Sequence, residues 1–415
     1  MLTAAVDRAA SMKFPTHGIG LLEALRSADR DTWLQAADQL NELSKGLDGA
    51  VMQDERFPGD EVKLVRNGWG AIGFYPYYVG AHLIRRAIQG GSAEAAIFWL
   101  QKVLNTTGAT GKMVQTLWGV PVTTKIQLTD DVAIVPIADL PDSEQKQLII
   151  EYTHHGRHRA AVTSMLDFVA PQSALVIERR ISPLVYGPSE SPHVPNDDFS
   201  TTNERIKEIA LVLTIVGPRV SIPALQWFTF DDPDLELHSS ETSQLLEVLP
   251  LHIKEYPALA PAEAPEIVRA YLTLHGSTRQ KVRVALERIN QAQRRHGLGD
   301  RAVELSTAFE TLVGDNSTTE MTHKVKVRTV RLVAGSNDER KLNAAVMNKA
   351  YAIRSQLVHT GLVDANATET IGGQRVAVSD VIDRALLLCV ELTKKIIRRG
   401  SIPEWSVFDI IEHAP

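Results

Sequence analysis

Apolar residues recur at three- and four-residue spacings over much of the first hundred positions of the chain. This spacing places them on one face of a helix, so it predicts a buried helical stripe. We expect residues 18–105 to be helical, ending in a helix near 92–104. The stripe consists of Leu21, Leu22, Leu25, Trp33, Leu34, Ala37, Leu40 and Leu43.

A glycine- and aromatic-rich segment, residues 68–78, lies within this region. Its rings could stack on a ligand, or the segment could be a tight corner that packs aromatic side chains against a neighbouring domain. The corner is the commoner use of such a segment, and we favour it.

The pattern changes from helical spacing to strands at about residue 116. Residues 120–128 alternate between apolar and polar, a Thr-Asp-Asp turn follows, and an apolar run begins at Val132, which together predict a β-hairpin. Further strands are expected at 174–183, 208–216 and 221–230. The economical interpretation is a mostly antiparallel β module.

Two motifs in this half have the composition of ligand sites but lack essential residues. Residues 108–112 (Gly-Ala-Thr-Gly-Lys) have the wrong glycine spacing for a phosphate loop, and Met113 replaces the magnesium-binding hydroxyl. A histidine cluster lies among arginines that would repel a metal cation, and no cysteine supports it. We interpret it as a solvated basic loop that could still touch a phosphate backbone. The cluster comprises His154, His155 and His158, with Arg157 and Arg159.

Clustered prolines at 257–265 predict a domain boundary, because proline prevents a helix from running through. The chain after it has helical spacing. Asp300 and either Asn337 or Asp338 are expected N-caps, and Gly361 is expected to end the fifth helix, before a polar loop. Short connections predict an antiparallel bundle. Its helices are expected at 267–275, 280–296, 300–312, 319–333, 337–358 and 378–398.

The predicted fold class is therefore α+β. We expect an N-terminal helical region (1–115), an antiparallel β-rich module (116–256), an all-α bundle (262–400) and a C-terminal tail (401–415). The length of 415 residues favours two or three domains, and 44% apolar with 23% charged residues is typical of a soluble globular protein.

Charge and cysteine content narrow the function classes. With a net charge of −6, the chain lacks the overall positive charge that is typical of nucleic-acid-binding proteins, so any contact with nucleic acid has to be local. A single cysteine, Cys389, excludes a disulfide framework and is typical of a reducing cytoplasm. The first residues lack the pattern of a signal peptide, and no apolar run approaches the roughly 20 residues of a membrane span. We expect a cytoplasmic protein with no membrane contact.

The expected fifth helix carries an arginine and a histidine near its end, Arg354 and His359, which suit phosphoryl chemistry. Positions five apart on a regular helix point about 140° away from each other. The pair therefore converges only if the helix end is distorted, or if a two-fold axis brings Arg354 of one protomer to His359 of another. Favourable helix-dipole interactions alone would also place such residues there.

Three segments of the bundle, 284–292, 302–314 and 350–361, resemble the Apea-like branch of the HEPN superfamily, the abortive-infection type of helical ribonuclease domain. The resemblance covers residues 262–400. A second arginine–histidine match, Arg269 and His275, lacks the flanking sequence pattern Tyr…Arg-Ser…Val-His-x-Gly, so we do not assign it to the family motif.

The resemblance implies that Arg354 and His359 form a motif that cuts RNA without a metal, in a cleft shared by a homodimer or a higher even oligomer. Ser355 stands where the broader superfamily often has Asn, Asp or His, although Arg-Ser recurs in this branch. Glu310 matches a recurrent acidic position and could orient Arg354. Tyr351, on a neighbouring helical face, could stack a base or belong to the core.

The predicted function is a metal-independent endoribonuclease of antiviral defence that needs no cofactor. Its N-terminal part would sense a phage or host trigger or restrain the nuclease. Two alternatives stay open: a non-catalytic HEPN module that dimerises or sequesters a partner, and a toxin neutralised by a separate antitoxin.

Overall fold

The computed structural model describes residues 1–11, 30–57, 59–66, 71–143, 145–147, 149–150, 170–187, 197–235, 244–245, 255–315 and 320–411. The α+β prediction is confirmed, with a central antiparallel sheet and helices in the C-terminal part. The chain divides into two units. Unit 1 comprises Met1–Met113, Glu178–Phe199 and Trp227–Thr242, and unit 2 comprises Val114–Ile177, Ser200–Gln226 and Ser243–Pro415.

Unit 1 contains four helices and a three-stranded antiparallel sheet of order β2-β1-β7 within the described residues. The expected helix near 92–104 is confirmed as α4, which Ser92 caps by accepting a hydrogen bond from the Ala95 N–H. The prediction that all of residues 18–105 are helical is wrong, because two four-residue strands interrupt the helices. Strands this short are not detected by a periodicity window. The elements are α1 (Leu2–Ser11), α2 (Arg30–Gln53), β1 (Lys63–Arg66), β2 (Ala71–Phe74), α3 (Gly80–Gly90), α4 (Ala93–Asn105) and β7 (Val185–Tyr186).

Part of the predicted stripe can be placed. Trp33, Leu34, Ala37, Leu40 and Leu43 lie in α2, whereas the three leucines before position 30 lie outside the described residues.

The described part of the aromatic segment is β2 followed by a 3₁₀ turn, Pro76–Tyr78. Tyr75, Tyr77 and Tyr78 pack on one another with ring centroids 5.0 to 6.3 Å apart. Their exposed fractions are 42%, 42% and 69%. The segment is a corner, as expected, but its rings are exposed.

A six-stranded sheet has the order β4-β5-β6-β3-β8-β9. The predicted hairpin is confirmed, since β4 pairs antiparallel with β5, and β5 pairs antiparallel with β6. The strands expected at 174–183 and 221–230 are β6 and β8. The strands are β3 (Ala109–Trp118), β4 (Ile126–Gln127), β5 (Val132–Pro136), β6 (Ser173–Ile181), β8 (Ile222–Phe230) and β9 (Gln244–Leu245).

The strand predicted at 208–216 is wrong. These residues end helix α5 (Asp197–Val212) and form the 3₁₀ turn Leu213–Ile215 after it. Ile209, Val212 and Ile215 are fully buried. A short apolar run of this kind does not distinguish a buried helix from a strand.

Residues 108–112, which have the composition of a phosphate loop, lead into and begin the long strand β3. A Cβ atom on Gly111 would lie 2.4 Å from the Phe228 ring and 2.5 Å from the Thr229 carbonyl oxygen. The glycine is therefore needed for close packing within unit 1.

The predicted bundle is confirmed as six helices in unit 2. Two N-cap predictions are wrong: α8 begins after Gly297, with Asp300 in its first turn, and α10 begins after Ser336. The polar loop after Gly361 contains a hairpin, β10 (Thr368–Ile371) and β11 (Gln374–Ala377), that was not predicted. The helices are α6 (Glu263–Leu272), α7 (Gly276–Arg294), α8 (Leu298–Val313), α9 (Met321–Val333), α10 (Asn337–Thr360) and α11 (Val378–Arg399).

The tail after the bundle packs on α9 through Arg328, which is 2% exposed. Arg328 donates hydrogen bonds to both carboxylate oxygens of Asp409, to Asp315 and to the Val313 carbonyl. Its guanidinium also lies 4.9 Å from the ring of Trp405, the first residue of the short helix α12 (Trp405–Phe408). Among the described residues, no helix is both long and apolar enough to cross a membrane.

Candidate functional site

The helix that carries Arg354 and His359 is regular to its end. It begins with a capping box, in which the Ser336 hydroxyl accepts from the Glu339 N–H and the Glu339 carboxylate accepts from the Ser336 N–H. These hydrogen bonds hold the pKa of Glu339 below its usual value. The helix ends at Gly361, whose φ of 74° is left-handed and whose N–H donates to the Leu357 carbonyl at 2.8 Å.

A distorted last turn was one of the two expected routes to convergence, and it is wrong. His359 lies in a regular turn, so it points about 140° away from Arg354. Burial agrees with this geometry, because Arg354 is half-buried and His359 is exposed. One chain alone does not bring the two side chains together.

Arg354 is a partly buried cation that has no counter-ion within the described part of the chain. Its Nε is buried and donates no hydrogen bond. The positive charge of Arg354 lies close enough to the Tyr351 hydroxyl to lower the pKa of that hydroxyl. Guanidinium groups this poorly compensated are uncommon, since desolvating a charge without a partner costs free energy.

Tyr351 belongs to the core, which is one of the two roles predicted for it, the other being to stack on a base. Its exposed fraction is 8%. Burial raises the pKa of its hydroxyl strongly, the negative charge of Glu310 raises it further, and Arg354 opposes both. The hydroxyl faces the Glu310 carboxylate without closing a hydrogen bond of normal geometry. The ring is not available to stack on a base in this conformation.

Glu310, on α8, is half-buried and lies beside Tyr351 because α8 packs against α10. It does not pair with Arg354 in this conformation, so the expected orienting contact is not made directly. Ser355 is half-buried on α10, and its hydroxyl makes no hydrogen bond with the described part of the chain.

Two features near the motif were not found from the sequence. Val358 and Leu362, beside His359, are large apolar residues that are 61% and 76% exposed. The β10–β11 hairpin contacts α10, where the Lys349 ammonium lies 2.7 Å from the Glu369 carboxylate. The Gly372-Gly373 pair between two alternating segments was the available signal for this hairpin.

The second arginine–histidine match has a different structural role. The Nε of Arg269 donates to the Leu128 carbonyl at 3.1 Å, which ties α6 to the residue after β4. His275 lies beyond the end of α6, in the extended residue before α7. The two residues are thus on separate elements.

No group of three or more potential metal-ligating side chains occurs among the described residues. The histidine cluster at 154–158 lies outside them. Cys389 is fully buried in α11, and burial raises the pKa of its thiol well above the usual value.

No protein-family model matches this sequence, and neither a curated protein nor a solved structure matches it. The assignment of function consequently depends on the geometry and on the resemblance described above.

Proposed function

We propose that the protein is a metal-independent endoribonuclease of HEPN type whose active site is shared between two copies of the chain. The observation that carries the proposal is Arg354: a half-buried guanidinium with an unpaired Nε and no carboxylate partner in the described chain. A phosphate group would supply the missing negative charge and accept paired N–H donors.

The chemistry we propose is transesterification by the RNA itself. The 2′-oxygen attacks phosphorus as its proton leaves, and the bond from phosphorus to the 5′-oxygen breaks as that oxygen gains a proton. His359 serves as the proton-transfer group, and Arg354 stabilises the extra negative charge on the phosphate in the transition state. The products are a 2′,3′-cyclic phosphate and a 5′-hydroxyl end.

The shared site follows from the regular helix. Because Arg354 and His359 of one chain diverge, a second chain related by a two-fold axis has to supply one of them. The exposed Val358 and Leu362 support this, since apolar residues beside His359 suit a surface that a second copy covers. A homodimer is the simplest such assembly, and a higher even oligomer satisfies the same condition.

The first test is cleavage of total cellular RNA by the full chain in the presence of a chelator. Arg354→Ala and His359→Ala are expected to lower the rate by at least about a hundredfold each. Arg269→Ala and His275→Ala, which alter the second match, are the controls and should cleave at the wild-type rate. Unchanged cleavage in the Arg354 and His359 variants would refute the assignment, as would activity that requires added metal.

The second test distinguishes a shared site from a site within one chain. Equal amounts of the inactive Arg354→Ala and His359→Ala proteins are mixed and allowed to exchange subunits. We expect recovery of about a quarter of the wild-type rate, because half of the dimers are mixed and one of their two sites is complete. No recovery despite proven exchange would exclude the shared site.

The regular helix also favours the alternative of a non-catalytic module, because a lone chain presents no converged site. Under that alternative, self-association persists while no RNA is cleaved under any condition. Cytoplasmic location, antiviral defence and activation by a phage or host trigger are part of the proposal and rest on the resemblance. Expression toxicity that is lost in His359→Ala would support a nuclease role over the adaptor.

A further inference from the structure

The β10–β11 hairpin carries an exposed arginine, Arg375, on the face that does not pack on the bundle. We propose that this face binds a phosphate of the RNA strand outside the scissile bond, with Arg375 as the substrate-binding residue. The inference rests on the proposed ribonuclease function and adds to it the element that aligns the substrate strand.

The pairing of the hairpin strands divides their side chains between two faces. Ile371 is 3% exposed, and Glu369 forms an ion pair with α10 at 2.7 Å, so the face that carries them packs on the bundle. Residues directly opposite in an antiparallel pair share a face, and successive residues alternate between faces. Thr368, Thr370 and Arg375 therefore lie together on the other face, where all three are exposed.

Arg375 is held in one orientation by its neighbour across the strands. Its Nε and Nη2 donate to the Thr368 hydroxyl oxygen at 3.1 and 2.8 Å. An arginine has five N–H donors, so three remain for a ligand, and the Thr368 hydroxyl keeps its own hydrogen to donate. The hydroxyl of Thr370, directly opposite Arg375, has no hydrogen-bond partner among the described residues. Arginine and threonine are among the donors that proteins direct at phosphate oxygens.

The outer face of the hairpin has a positive charge that no carboxylate of the hairpin offsets. Arg375 forms no ion pair with the described part of the chain. Glu369, the one acidic residue in 368–377, lies on the inner face and is neutralised by Lys349. The outer face is therefore complementary to an anion, and under the proposed function the anion at hand is the phosphate backbone of RNA.

The hairpin lies beside the half of α10 that carries Arg354 and His359. Its contact at Lys349 is ten residues before His359, about 15 Å along the helix. Around the helix, Lys349 is about 80° from His359 but about 140° from Arg354. The hairpin thus borders the His359 side of α10. Ala352 and Gln356, both exposed and uncharged, lie between Lys349 and His359 around the helix and leave this surface open.

A strand whose scissile phosphate is at His359 can cross this open surface and place a neighbouring phosphate on Arg375. The contact lies away from the reacting atoms, so it contributes to binding and not to the chemical step. A dinucleotide has a single phosphate, which the scissile position occupies, and therefore cannot use Arg375. Dependence on substrate length is the property that separates this role from catalysis.

The first test compares cleavage of a dinucleotide with cleavage of a single strand of about 12 nucleotides, within the usual site size of single-strand grooves. Arg375→Ala should raise KM for the longer strand about tenfold and leave kcat unchanged, because a charge-assisted contact made equally in ground and transition states is lost. Both constants should stay unchanged for the dinucleotide.

The second test measures binding without cleavage, by fluorescence anisotropy of the same strand with the inactive His359→Ala protein. Adding Arg375→Ala should reduce the slope of log affinity against log salt concentration by about 0.7, the value of one phosphate contact on a single strand. A purely structural role of Arg375 would not change this slope.

Matched variants separate charge from geometry. Arg375→Lys should keep the salt slope but lose part of the affinity, since lysine lacks the fork of donors. Thr368→Val releases the guanidinium while keeping its charge, so it should raise KM severalfold for the longer strand at an unchanged slope. Arg399→Ala removes an exposed arginine at the far end of α11 and should behave like the wild type.

The outcomes distinguish this inference from the proposed function. If RNA is cleaved but Arg375→Ala keeps the wild-type KM and salt slope, the inference is overturned and the nuclease assignment stands. An equal rise of KM for the dinucleotide also overturns it, because the effect is then not confined to a neighbouring phosphate. If the protein neither binds nor cleaves RNA, both proposals fail.

Discussion

Two arginines of the bundle, Arg328 and Arg354, differ in how well their positive charges are compensated. Arg328 is almost completely buried, yet its guanidinium is satisfied by two carboxylates, a carbonyl and an aromatic ring. Arg354 is less buried and has an unpaired Nε. The first arrangement stabilises the fold, whereas the second leaves a cation available to a ligand at some cost in stability.

We therefore expect different effects on stability from the same substitution at the two positions. Arg328→Met should lower the free energy of unfolding by about 2–3 kcal/mol, because Asp409 loses its cation and Asp315 keeps only Lys324, although both carboxylates are partly exposed. Arg354→Met should leave it unchanged or raise it by up to about 1 kcal/mol, because a poorly satisfied charge is removed. Urea denaturation of both variants measures this contrast. A loss at Arg354 as large as that at Arg328 would show that Arg354 has a structural partner.

At the scale of elements, the segment between α10 and α11 is a defined hairpin. Its two-residue turn, Gly372-Gly373, has φ values of 57° and 80°. Both residues in the left-handed region are what a type I′ turn requires, and this turn matches the twist of the strands. No atom lies within 4 Å of a Cβ built on either glycine, so only the backbone conformation requires glycine there.

Gly373→Ala is accordingly expected to destabilise the hairpin by about 1–2 kcal/mol, the usual cost of a side chain in the left-handed region. Amide hydrogen exchange should become faster in 368–377 and stay unchanged in the middle of α11. Gly49→Ala is the matched control, since Gly49 lies in α2 and its Cβ would also meet no atom within 4 Å. It should be neutral or stabilising, because alanine favours a helix. Equal destabilisation by both substitutions would contradict this account.

At the scale of the whole molecule, the proposed function needs more than one chain. The large apolar residues next to His359 are exposed at the end of α10, and burying a valine or leucine side chain typically contributes 1.5–3 kcal/mol. The two-fold contact proposed above would bury Val358 and Leu362 near the shared site. Self-association and RNA cleavage should then depend on the same surface.

The double variant Val358→Lys, Leu362→Lys should weaken self-association by about a hundredfold or more, given the apolar area lost. RNA cleavage should fall in parallel and recover in part at high protein concentration. Analytical ultracentrifugation and the cleavage assay measure the two effects. Ile410→Lys changes another large apolar residue, 85% exposed on the tail, and serves as the control. Normal association with the double variant would place the interface elsewhere.

Long, strongly periodic segments could be predicted from the sequence. The six bundle helices and the end of α10 at Gly361 follow from 3.6-residue spacing and from the preference of glycine for a left-handed C-terminal position. Four of the strands, β4, β5, β6 and β8, follow from alternating or apolar runs between turn residues. By contrast, 208–216 was assigned to a strand because its apolar residues are continuous. In the structure these residues end α5 and are buried there, and a continuous apolar run does not distinguish a buried helix from a strand.

For the candidate site, the sequence alone determined which residue types are available and that Arg354 and His359 diverge on a regular helix. The structure showed that the helix end is regular, because the Gly361 N–H donates to the Leu357 carbonyl four residues earlier. It also decided that Tyr351 is buried beside Glu310 and that Arg354 has an unpaired Nε. Burial and charge compensation depend on residues distant in the chain, so local spacing cannot specify them.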